Sequence, residues 1–186
     1  MKKIITLILM ALFASMACAC ARDFNNTPVK NLDLARFLGT WYEIARYDHS
    51  FEKGMDNTRT EYTLKPDGTV KVENTGWKKG KFKRSVGKAF LPDPEKEPGR
   101  LRVSFFGPFY SDYRVLMLSE DYDFALIGSK SDDYLWILSR TPDIPSKELA
   151  EILLEVKRRG YDVKDLIWVH HDDVSDLNLD CLMRFE

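Results

Sequence analysis

Histidine and cysteine, the side chains that most readily do acid–base or covalent chemistry at neutral pH, number three each in this chain, and their spacing argues against most of it. The histidines are His49, in a polar loop, and the adjacent pair His170 and His171. Neighbours along a strand point to opposite faces, so such a pair would chelate one ion poorly, and the expectation is surface histidines with no metal site. No Gly-x-Ser-x-Gly elbow, metal-binding helix pair or phosphate-cradling glycine loop occurs, so no catalytic residue and no cofactor are expected. Glu43 shares a strand face with Trp41 and is the one acid expected to be buried. Its partner there would be Arg140, a ligand amine or another internal polar group.

What the sequence does offer is aromatic and apolar. Gly39-Thr40-Trp41-Tyr42-Glu43-Ile44-Ala45-Arg46 has the β-branched and aromatic content of a strand, with Gly39 at its start. Asp133-Tyr134-Leu135-Trp136-Ile137-Leu138-Ser139-Arg140 is a second apolar run, ending on an arginine. A guanidinium over an indole face gains roughly 0.5–2 kcal/mol, more when desolvated. Trp41 and Arg140 are therefore expected to meet and shut one end of a barrel.

The elements that would position them follow in order. Asn31–Leu38 reads as a short helical turn beneath Trp41, and strand signals then recur at close intervals. Residues 57–65 and 69–74 flank the turn Pro66-Asp67-Gly68; residues 86–91, 100–106, 113–119, 122–129 and 134–140 complete about eight strands joined by short loops. The expected fold is all-β, an antiparallel up-and-down barrel. One helix follows, with Ser146 as N-cap, the stripe Leu149, Ile152, Leu153 and Val156, and Gly160 as its stop; it is expected to lie on the barrel's outer wall. Leu166–Val169 adds a short strand.

With 186 residues, 44% hydrophobic and 31% charged, the chain suits one domain with a real core. A net charge of −1 gives no electrostatic case for nucleic acid. The basic run Lys78, Lys79, Lys81, Lys83 and Arg84 reads as a solvated hairpin, with contact to anionic lipid as the alternative. Lys2 and Lys3 precede a short apolar run and then small residues, the pattern of an export signal, so residues 1–17 are expected to be a signal peptide. Ala17-Cys18-Ala19-Cys20-Ala21 resembles a lipoprotein site in part, having the small residue before each cysteine without the preferred aliphatic upstream. Cys18 is the expected lipidation site, Cys20 the alternative, and an ordinary cleavage with no lipid the third outcome. The three cysteines form no internal disulfide framework, and a Cys20–Cys181 pair stays open. Residues 18–30 are expected to be a polar linker, 31–171 the folded domain, and 172–186 a flexible acidic tail beginning to fray at His171.

Gly39-Thr40-Trp41, the block Asp112-Tyr113-Arg114-Val115 with Asp121–Leu126, and Arg140 closing the last barrel strand resemble the three signatures of the lipocalin family. The longer runs Tyr42–Gly54, Val103–Tyr110 and Tyr134–Pro142 are similar to its bacterial, outer-membrane lipoprotein subgroup, the Blc-like lipocalins, which is related to apolipoprotein D. The resemblance covers nearly the whole chain after the leader. It implies storage or transport of a lipophilic molecule, a fatty acid or lysophospholipid, in the cell envelope. It also implies an N-terminal lipid anchor in the outer membrane facing the periplasm, or a soluble periplasmic or secreted form without it. A lipid- or isoprenoid-modifying enzyme on the same fold, or a tetrapyrrole carrier, are the alternatives.

An eight-stranded barrel holds side chains or one small ligand, and apolar walls gain roughly 25 cal/mol per Å² of ligand surface removed from water. Strand parity with Leu101, Val103 and Phe105 inward puts Trp136 and Leu138 on the face of Arg140. Tyr62, Val72 and Tyr113 are further expected wall residues, with Trp77 and Phe90 nearer the mouth. The apolar loop Gly107-Pro108-Phe109-Tyr110 would cap the cavity, touch a membrane or pack between protomers of a homodimer.

Overall fold

The computed structural model describes residues 24–172. The expected signal peptide, Cys18, Cys20, Cys181 and all of the tail past Asp172 lie outside the described residues.

Eight strands follow one another in antiparallel order: β1 (Gly39–Tyr47), β2 (Asp56–Leu64), β3 (Val70–Lys78), β4 (Lys81–Phe90), β5 (Arg100–Phe106), β6 (Phe109–Leu118), β7 (Phe124–Gly128) and β8 (Leu135–Ser139). Because β1 pairs with both β2 and β8, the sheet closes into a barrel. A ninth strand, β9 (Leu166–Trp168), pairs with Ala45–Tyr47 of β1 from outside. The wall is uneven: β4 pairs with β3 from Lys81 to Ala89 but meets β5 only over Lys88–Phe90.

Two apolar clusters account for the packing. Inside the barrel, Phe37, Trp41, Tyr62, Val72, Leu101, Val115, Ile127 and Leu138 interlock, with alternate residues of each strand turned inward. Outside, α2 (Ser146–Arg158) lays Leu149, Ile152, Leu153 and Val156 on Ile44, Leu116, Leu126, Leu135 and Ile137. At the start of α2 the cap position belongs to Pro145, without a side-chain bond, and Ser146 is the first helical residue rather than the cap. Pro145 has the extended backbone of a cap residue, φ −61° and ψ 145°, and its carbonyl accepts the Leu149 N–H at 3.0 Å. Gly160, at φ +84°, ends the helix as its lack of a Cβ allows.

Residues 24–30 are not a free linker. The Asn25 N–H donates to Arg159 O and the Val29 N–H to Val115 O, both at 2.8 Å, and Arg159 Nη1 reaches the carbonyls of Asn25 and Thr27. Nor does the chain fray at His171, whose ring is buried 2.8 Å from Glu43 O, while the Asp172 N–H donates to Asn57 Oδ1.

Candidate functional site

The two ends of the barrel differ in chemistry. At one end α1 (Leu34–Phe37), capped by the Asp33 carboxylate, plugs the floor. Phe37 packs 5.1 Å from the Trp41 ring and 5.5 Å from Tyr62, and Trp41 Nε1 donates to Phe37 O at 2.8 Å, so the indole is buried without an unpaired N–H. Beneath it the Arg140 guanidinium carbon stands 3.9 Å from the Trp41 ring centroid. Its nitrogens donate to Thr40 O (2.8 Å), Arg36 O (2.6 Å) and Tyr122 O (3.1 Å), tying α1, β1 and the β6–β7 turn to β8. Gly39 has φ +91°, a conformation that side chains rarely adopt, so the strand begins on glycine where it turns over the arginine.

Midway, the Tyr62 and Tyr113 hydroxyls meet at 2.8 Å across the lumen. Burial pushes both phenols up, so both stay neutral, and each finds in the other the partner an apolar interior would otherwise deny it.

The other end is open, formed by loops 48–55, 79–80, 107–108 and 129–134. A cavity of about 460 Å³ lies there, walled by Phe51, Tyr134 and Trp136 on one side and by Ser111, Ser129 and Lys130 among its polar lining. Its size falls within the range of sites that hold small organic ligands. Phe51, Tyr134 and Trp136 stack in sequence, with His49 3.9 Å from the Phe51 ring centroid.

Behind this wall is a buried ionic group. Arg46 Nη1 donates to Glu43 Oε1 at 2.6 Å, and its Nη2 donates to the carbonyls of Glu52 and Met55, folding loop 48–55 over the mouth. Trp136 Nε1 donates to Glu52 Oε2 at 3.1 Å. Two acids thus face one guanidinium away from water. Burial, with Glu52's charge added, pushes the Glu43 carboxyl up to about 8 against the pull of Arg46, and burial raises Glu52 as well. With both carboxyls raised beside one guanidinium, burial disfavours ionising the two acids together. Burial and the Arg46 charge push His49 down to about 4, so its ring is neutral; its Nε2 lies 3.2 Å from Glu52 Oε2 without hydrogen-bond geometry.

Against the sequence expectations, Tyr62, Val72, Val103, Phe105, Tyr113, Trp136 and Leu138 all belong to the interior cluster, and Trp136 also walls the mouth cavity. Two expected mouth residues do not. Trp77 is at the open end but on the outer face, opposite Phe82, because the alternation that turns Val70, Val72 and Gly76 inward turns it outward. Phe90 lies at the far end of β4, also outside, against Tyr110; Ala89 takes the inward place opposite Val70. Glu43 is buried as expected, and of the partners expected for it the structure has an internal polar group, Arg46, rather than Arg140; it is not the one buried acid, since Glu52 is buried as well. His49 and His171 are buried, which corrects their assignment to the surface; His170 is exposed. Phe109 points to solvent and does not cap the cavity. Among the described residues, no group of three or more His, Cys, Asp or Glu side chains could hold a metal ion.

Comparison with known proteins gives a consistent set of likenesses. A family model described as a lipocalin-like domain matches residues 32–171. Outer membrane lipoprotein Blc of Escherichia coli K12 is 41% identical over 172 residues, spanning 90% of this chain and 97% of that protein. Apolipoprotein D of Bos taurus is 32% identical over 129 residues, 65% of this chain and 67% of its own. Among solved structures, insecticyanin from the tobacco hornworm Manduca sexta superposes with a TM-score of 0.67 at 22% identity, covering 80% of this chain and 86% of that one, a likeness of fold.

Proposed function

The chain belongs to the lipocalin family, and from that premise we propose that it binds and carries a lipophilic molecule, a fatty acid or lysophospholipid, within the bacterial cell envelope. The observation that carries this reading is a closed barrel, plugged at one end, with a cavity of about 460 Å³ open at the other above an apolar interior. An acyl chain needs no dedicated chemistry there; removal from water stabilises it at roughly 25 cal/mol per Å². Trp136, Tyr113, Val103, Phe105 and Leu138 would meet the tail, with Tyr62 and Val72 below them. Ser129 and Lys130, at the rim of the cavity, suit a polar or anionic head group. The likeness to outer membrane lipoproteins supports an anchor on Cys18 that holds the domain at the outer membrane.

The test is the protein isolated from its own envelope. Native mass spectrometry should find bound acyl lipid and an acylated N-terminus, and titration with fatty acid or lysophospholipid should quench tryptophan fluorescence. Protein that arrives lipid-free and stays unquenched with both lipids refutes the reading. Visible absorbance on purification would assign a tetrapyrrole instead, and lipid turnover lost on one polar substitution would assign an enzyme.

A further inference from the structure

The open end of the barrel carries aromatic side chains that no described residue covers. Phe106 and Phe109 pair across the tip of the β5–β6 hairpin and are 82% and 78% exposed. Trp77 and Phe82 pair across the neighbouring β3–β4 hairpin, ring centroids 5.7 Å apart, and are 46% and 52% exposed. Single exposed apolar residues are ordinary; four rings on two successive hairpin tips make this end unusually apolar for an exposed surface.

Charge says what would cover it. The β3–β4 tip reads Gly76-Trp77-Lys78-Lys79-Gly80-Lys81-Phe82-Lys83, four lysines around two rings with no acid among them. Rings of this kind settle at the head-group level of a bilayer, and clustered lysines are drawn to anionic lipid.

The path of the chain gives an independent reason. Asn26 Nδ2 donates to the carbonyls of Ser129 and Lys130, in the β7–β8 loop of the same open end, and Phe24 packs on Tyr161. The described chain thus begins beside the open end, and Cys18 precedes Phe24 by six residues. Six residues reach at most about 20 Å, so a lipid on Cys18 would hold this end, not the plugged one, near a leaflet.

We propose that the open end seats on an anionic phospholipid leaflet through the tips of the β3–β4 and β5–β6 hairpins. The inference deepens the carrier reading and rests on it, since a mouth that meets the leaflet takes its lipid without passing it through water.

Residues 24–172 contain every strand pairing and both apolar clusters described above, so residues 22–186 serve as an anchor-free protein. This protein should cosediment with phosphatidylcholine vesicles containing phosphatidylglycerol far more than with phosphatidylcholine alone, and added salt should weaken the binding. F106S with F109S should lower partitioning by about tenfold or more. Lys78→Glu, Lys79→Glu, Lys81→Glu and Lys83→Glu together should abolish the preference for phosphatidylglycerol. Both variants should keep the wild-type melting midpoint and fatty-acid quenching in solution, which separates failure of docking from failure of the carrier reading. Vesicle binding that ignores both sets of substitutions overturns the proposal. So does a wild-type dimer in sedimentation equilibrium that F106S with F109S converts to monomer, which would give the patch to a second copy of the chain.

Discussion

Replacing Arg140 by alanine tests the closed end most directly. The substitution removes the cation 3.9 Å from the Trp41 ring and three hydrogen bonds to the carbonyls of Thr40, Arg36 and Tyr122. The cation–ring contact is worth about 1 kcal/mol for a half-buried guanidinium. Hydrogen bonds from a charged donor contribute roughly 1.5–3 kcal/mol each when buried, and about half that here, because part of the group meets water. Together the loss is roughly 3–5 kcal/mol. In a domain of this size that lowers the melting midpoint by roughly 6–20 °C. Arg140→Lys keeps the charge but not the planar fork that reaches three carbonyls, so it should recover only part of the loss. Thermal and urea unfolding followed by circular dichroism measure both. If alanine leaves the midpoint unchanged, or lysine restores it fully, the account of how this end is shut is wrong.

Two further substitutions probe the interior. Tyr62→Phe and Tyr113→Phe should each cost about 1 kcal/mol, and the double variant scarcely more than either, because the two hydroxyls have each other as partner; additive losses in a double-mutant cycle would refute the pairing. Glu43 binds its proton more tightly folded than unfolded, so the stability it contributes is fully present below about 4.5 and is lost as pH rises through about 8. Glu43→Gln, a neutral mimic of the protonated acid, should flatten that decline in urea unfolding measured across the interval; an unchanged slope would show that Glu43 is ionised in the folded protein. His49 acts in the opposite sense, its folded pKa lying below the unfolded value of 6.5, so its contribution is lost as pH falls through about 4. His49→Phe should remove that acid limb from the pH–stability curve, and a limb that persists would place it on other groups.

Strand parity explains what could be read beforehand. In β5 the alternation of Leu101, Val103 and Phe105 with charged and small residues admits one inward face, and the interior followed from it. Arg46 could not be found that way. Residues three apart on a regular strand face opposite sides, and only the register shift between Glu43 and Ala45 turns Glu43 and Arg46 to the same side. Trp77 was decidable, since an odd step from Val72 already put it outside. Phe90 was not, because nothing in Ala89-Phe90 says that the narrow interior opposite Val70 takes the smaller residue. Strands β3 and β4 ran longer than the lysine-rich sequence suggested. Cross-strand pairing, including the two-pronged Arg84–Glu73 contact at 2.7 and 2.8 Å, carries them where intrinsic preference would not.

The short junction between β4 and β5 bears on how this ring gives way. A hoop under outward load parts where its fewest ties lie, and here that is beside Lys88–Phe90, on the rim side, away from the tryptophan plug. Strands spread on the rim side of that joint break no pairing of the plug, so the residues that hold the bottom shut keep their contacts.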